Sequence, residues 1–159
     1  MVQSGGDDAR AFLRGGGNIA DIIASFDWAG TPMGPLDLWP TSIKTAVGLL
    51  LRSPVPIVAL WGEAGTMIYN DAYSGFAGGR HPKLLGSPVR EGWPEVADFN
   101  DNVMKVGLAG GTLSYTNQEL TLFRTGRPEQ VPPMVVAERM MSIARPIASA
   151  PEAHAETVV

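Results

Sequence analysis

The chain has 159 residues, a net charge of −4, and 45% hydrophobic against 18% charged side chains. That is the balance of a globular domain long enough to bury one core, not of a disordered chain. Its Lys and Arg residues are scattered, so there is no basic stripe to hold phosphate, which argues against nucleic acid as a partner, and the absence of cysteine excludes disulfides, thiolate metal sites and cysteine nucleophiles.

Residues 1–17 are polar and glycine-rich and read as a flexible N-terminal segment. They carry two adjacent acids and no apolar stretch, unlike a signal peptide. Ile19, Ile22, Ile23 and Phe26 recur at helical spacing and predict a helix with Asn18 as its N-cap. Residues 30–40 hold three prolines and two glycines and read as a loop. Thr41 or Ser42 opens a second helix with Ile43, Ala46, Val47 and Leu50 on its buried face, ended by the Ser-Pro-Val-Pro run at 53–56. Residues 18–53 thus form an N-terminal helical extension.

A main domain is expected over 54–148. Residues 57–61 and 66–69 are apolar, partly β-branched runs around a Gly-Glu-Ala-Gly turn, which predicts a hairpin. Asn70-Asp71 reads as a helix start, continuing through Tyr73 and Phe76 and closed by Gly78 and Gly79. Residues 80–95 are irregular. Val96, Phe99, Val103 and Val106 predict a further helix, ended by Gly110 and Gly111. Residues 112–123 are β-rich, but their alternation changes phase near 118–120, the mark of a bulge. A turn follows at 124–127. Val135, Ala137, Met141, Ile143 and Ile147 share one parity and predict another long strand, into which residues 132–139 with their two prolines fit poorly. Residues 149–159 read as a tail. Segregated helices and strands predict an α+β fold with helices packed on one side of an antiparallel sheet. No apolar run approaches the roughly 20 residues of a membrane span, so a soluble, cytoplasmic chain with no membrane partner is expected.

Several short motifs fall in one order: Asp27-Trp28 with Thr31-Pro32, Gly34-Pro35 and Trp39-Pro40, then Trp61-Gly62, Tyr69-Asn70-Asp71, His81-Pro82, Gly86 with Pro88, and Trp93-Pro94-Glu95. In this order, over about residues 19–131, the chain resembles the N-terminal sensory PAS region of bacterial sensor histidine kinases. The resemblance implies a PAS-like antiparallel sheet with short helices on one face. It also implies a non-catalytic input domain for a two-component output, responding to a small ligand or a signalling protein. The last strand of that pattern has no clear counterpart here. Because that strand lies beside the first, its loss would leave backbone groups to be paired by the tail, by residues 134–139 or by a second subunit, and the edge is expected to support a homodimer.

Trp61, Tyr69, Asn70, Tyr73, Phe76, Trp93 and Tyr115 are the candidates for lining a ligand cup. Aromatic rings with polar tips suit a mixed cavity, although the same rings can simply fill a core. Asn70 can also cap the helix that follows it. No catalytic residue is expected: Glu91, Glu95, Asp98 and Asp101 gather near a helix start, where the helix dipole alone favours carboxylates. No metal site is expected either. The cofactor stays open. Flavin photosensors of this type use a cysteine, and haem sensors an axial histidine on the helix read here at 96–108. That helix has no histidine, while His81 and His154 fall in a loop and the tail. Gly15–17 and 107–111 lack the flanking elements of a phosphate loop. Two other readings remain open: a ligand-free dimerisation module, and a small α+β enzyme of the isomerase type.

Overall fold

A computed structural model describes residues 9–111 and 113–138, with the backbone alone for 113–119 and 131–138. The chain is α+β, as its order of elements predicts, and its strands form two antiparallel two-stranded ladders among the described residues. The expected strand positions Met141, Ile143 and Ile147, the tail at 149–159 and His154 lie outside the described residues. No helix among the described residues is long and apolar enough to cross a membrane.

The segment before residue 18, expected to be flexible, packs from residue 9 onward. A 3-10 turn spans Ala11–Leu13. Leu13 is buried, the Phe12 ring lies 6.2 Å from that of Trp39, and Arg10 Nε donates to Asp37 Oδ1 at 2.9 Å. Two adjacent apolar side chains in a glycine-rich run are enough to dock it. Helix α1 follows at Gly17–Ser25, burying Ile19, Ala20 and Ile23. Asn18 does not cap it. The Asn18 and Ile19 amides instead donate to the Asp71 carboxylate, at 2.9 and 2.8 Å, so the cap arrives from a residue more than fifty positions away. Position 17 must be glycine for this contact. It has φ +75°, and a Cβ there would stand 1.9 Å from Asp71 Oδ2.

The loop at 30–40 is held by indoles. Trp28 Nε1 donates to Ile23 O at 2.8 Å and Trp39 Nε1 to Gly34 O at 3.0 Å. The rings of Phe26, Trp28 and Trp39 contact in succession at 4.6 and 4.9 Å between centroids, tilted and then edge to face. Both indole N–H groups find partners inside, as burial demands. Helix α2, Thr41–Leu51, then buries Ile43, Val47, Leu50 and Leu51.

Strands β1 (Val58–Trp61) and β2 (Thr66–Tyr69) form the expected hairpin. Asn70 closes it. Its Oδ1 accepts from Ile57 N and from Tyr73 N, capping helix α3 at Asp71–Ala77. Its Nδ2 donates toward the carbonyls of Leu50, Ser53 and Val55 at 3.1, 3.2 and 2.7 Å. The residue is fully buried, and one amide thereby ties the end of α2, the linking loop, Ile57 at the entry to β1 and the start of α3.

Residues 80–95, read as irregular, contain short helical pieces: a 3-10 turn at Gly78–Arg80, helix α4 at Val89–Gly92 and a 3-10 turn at Pro94–Val96. Each is too short to show a periodic apolar pattern. The stretch from Gly86 to Val89 runs along the outer edge of β2, with Met67 N donating to Ser87 O, Gly86 N to Met67 O and Val89 N to Gly65 O. Gly86, at φ +74°, lets the Phe26 ring approach where a Cβ would come within 2.5 Å. Helix α5, Ala97–Leu108, buries Val103, Met104 and Gly107. Strands β3 (Leu113–Leu122) and β4 (Glu129–Glu138) pair with register shifts between Tyr115 and Gln118 and between Gln118 and Leu120, which places the expected bulge. Residues 132–138 belong to β4 despite their poor fit. Pro132 and Pro133 fall at the second register shift, where a missing N–H breaks no regular pair.

Replacing Asn70 with Ala strands several buried backbone groups and is expected to cost about 3–5 kcal/mol in urea unfolding. Asn70→Asp keeps the acceptor but turns an anion toward three carbonyls, and is expected to cost at least as much. A loss below about 1 kcal/mol for either would remove Asn70 from this role.

Candidate functional site

The hairpin, α3, α4, α5 and β3 frame a cleft of about 80 Å³ that is partly open to solvent. Its floor is Val58 and Leu60 of β1 with Met67 of β2. Tyr73 and Phe76 project from α3, Val89 from α4, and Trp93 from the residue that follows α4. Val96, Phe99 and Asn100 close another side, and Leu120 and Leu122 of β3 complete it. Alternation along the hairpin explains the floor: Leu60 and Met67 are cross-strand partners, so they share a face.

The aromatic wall is a continuous chain of rings. Tyr73, Phe76 and Trp93 follow one another at centroid separations of 5.3 and 6.2 Å, and Tyr69 backs Tyr73 at 5.2 Å. Trp93 Nε1 donates to the Tyr73 hydroxyl at 3.1 Å. Two guanidiniums cover the wall: Arg80 lies 4.6 Å from the Trp93 ring and Arg124 5.6 Å from that of Phe76, the geometry of cation–π attraction.

Both cations are engaged. Arg80 pairs with Glu95 at 3.0 Å and donates to the carbonyls of Gly92 and Phe123. Arg124 pairs with Glu129 at 2.6 Å and reaches the Phe76 carbonyl. Glu95 also accepts from Phe123 N at 2.8 Å, which ties the turn before α5 to the end of β3. Burial pushes the Glu95 carboxyl up. The backbone hydrogen bonds, Phe123 N–H foremost, and the Arg80 guanidinium outweigh it and leave the carboxyl below its ordinary value.

Of the sequence candidates, Tyr73, Phe76 and Trp93 line the cleft and Trp61, Tyr69 and Asn70 do not. Asn70 is spent on backbone. Tyr69 lies beneath the wall; its hydroxyl meets His81 Nδ1 at 3.0 Å, and burial, against a Leu85 backbone hydrogen bond, pushes the phenol up to about 12. Trp61 is opposite Thr66, on the face turned away from the cleft. Its Nε1 and Thr66 Oγ1 are buried without partners among the described residues. The Tyr115 side chain lies outside the described residues. Sequence reading missed the aliphatic floor, which strand alternation could have marked, and Asn100, for which no local signal exists. It also missed the Tyr69–His81 bond, which spans twelve positions. Among the described residues no group of His, Asp and Glu side chains could hold a metal ion.

Because the folded Glu95 titrates below its ordinary 4.5, its contacts contribute stability above that value and lose it as pH falls through the folded pKa. Urea midpoints taken from neutral into acid pH are expected to drop for the wild type and to drop less for Glu95→Gln, which starts lower. Parallel curves would show that Glu95 contributes nothing to the acid sensitivity.

Comparison with protein-family models, curated proteins and solved structures returned no match for this chain.

Proposed function

We propose that the chain is a PAS-type sensory domain: a non-catalytic, cytoplasmic input module of a two-component type system that responds to a small ligand or a partner protein and works as a homodimer. One observation carries the reading. Helix α3 is shared between the cleft and the N-terminal extension, since Tyr73 and Phe76 form the aromatic wall while Asp71, at its first turn, holds the opening amides of α1. An occupant that shifts the wall therefore biases the grip on α1, which is what a population-shift switch requires. The enzyme alternative finds less support. Among the described residues the cleft lining includes no carboxylate and no imidazole, and neither Tyr69 nor His81 is part of it.

A ligand-free dimerisation module is the second reading, favoured by the edge of β1, which no described strand covers. Asn70 N donates to Ile57 O, so antiparallel alternation turns the N–H and C=O groups of Val58 and Leu60 away from β2. Among the described residues β1 pairs with β2 alone. An edge of this kind is a template for another strand.

Asp71→Ala is expected to raise amide hydrogen exchange at Asn18 and Ile19 by about tenfold and to cost about 1–2 kcal/mol, the worth of a helix cap. Unchanged exchange would remove α3 as the link. Light scattering on the intact chain is expected to give a dimer mass, and a clean monomer would overturn the dimer in both readings.

A further inference from the structure

The cleft's chemistry, and not only its place, narrows what can occupy it. Among the described residues its lining carries no Asp, Glu, Lys or Arg, and its polar groups are the Asn100 amide, the Tyr73 hydroxyl and the Trp93 indole N–H. The hydroxyl already accepts the Trp93 N–H. The guanidiniums touching the wall's rings, Arg80 and Arg124, are paired with Glu95 and Glu129 and are absent from the lining. A charged group entering this space meets no counter-ion and loses its water, which is strongly unfavourable. Size gives the second limit. A dry apolar cavity of roughly 150 Å³ holds benzene; about 80 Å³, partly open, admits a single ring and leaves part of it in solvent. Shape gives the third, because Tyr73, Phe76 and Trp93, tilted 45° and 53° to one another, on one side and aliphatic side chains on the other offer ring edges and faces to an aromatic guest. Asn100 can both donate to and accept from one polar group on that guest.

We infer that the cleft binds a small uncharged aromatic molecule of single-ring size, bearing at most one neutral hydrogen-bonding group directed at Asn100. The inference rests on the sensory reading of this cleft and specifies its ligand class. Among the described residues the lining offers no counter-ion to a carboxylate or phosphate, and its volume seats no more than one ring inside.

The test titrates the intact chain with 4-methylphenol and, separately, with 4-hydroxybenzoate, which keeps the ring and hydroxyl but adds a carboxylate. Methyl resonances of Leu60, Met67, Val89 and Leu122 report on the cleft by NMR. The expected result is saturable shifts confined to these methyls with 4-methylphenol, and binding weaker by about tenfold or more for 4-hydroxybenzoate. Val96→Phe, which fills the space from a half-buried position, is expected to abolish the shifts while amide dispersion is retained. Should that variant not fold, the pair of probes on the wild type decides alone. No saturable shift with 4-methylphenol, or equal or tighter binding of the benzoate, overturns the inference. Cleft binding that leaves exchange at Asn18 and Ile19 unchanged upholds the ligand class and overturns the sensory reading, so the two fail separately.

Discussion

Everything in this fold turns on one buried amide. Asn70 stands where two helices, a loop and a strand meet, and its side chain hydrogen-bonds backbone of both helices, of the loop and of the residue that leads into the strand. A helix that ends inside a protein leaves carbonyls, and one that begins there leaves N–H groups, all needing partners. Asn is the side chain that offers an acceptor and two donors without charge. Placing it at the junction allows α2 to end and α3 to begin within the core instead of at the surface. The hairpin is clamped between them, and the cleft floor is thereby held against the cleft wall.

Next to it, Asp71 performs the complementary task with charge. Its carboxylate leaves its own helix and caps another, where the positive end of the α1 dipole favours an anion. Two adjacent residues therefore divide the work: the neutral one fixes the domain's interior, and the charged one fixes the extension to it. A fully buried amide is hard to release, whereas a half-exposed carboxylate can exchange its partners for water. That difference makes the α1 contact, and not the Asn70 junction, the suitable place for a switch.

The cleft survives because its rings are braced from outside. Trp93 and Phe76 are held by stacked guanidiniums whose charges are neutralised by Glu95 and Glu129. The rings are thus tied to the end of β3 and the turn after it, and do not collapse onto the aliphatic floor. The same pairing keeps cations out of the interior, leaving an apolar, ring-sized space.

By itself the sequence determined the local pieces: the helix beginning at Thr41, the hairpin at 57–69, the Asn70 cap, the helix closed by Gly110 and Gly111, and the phase change that marks the bulge opposite Pro132 and Pro133. It also placed Tyr73, Phe76 and Trp93 among the candidates, because aromatics spaced on a short helix and beside a turn are visible as such. Only the tertiary structure decided which of these rings face a cavity, that Trp61 and Tyr69 do not, that Asp71 and not Asn18 caps the first long helix, and that Phe12 and Leu13 dock an apparently flexible leader. The reason is common to all four. Periodicity and capping rules read neighbours within a few positions along the chain, whereas a cavity wall or a borrowed cap joins residues that only packing brings together.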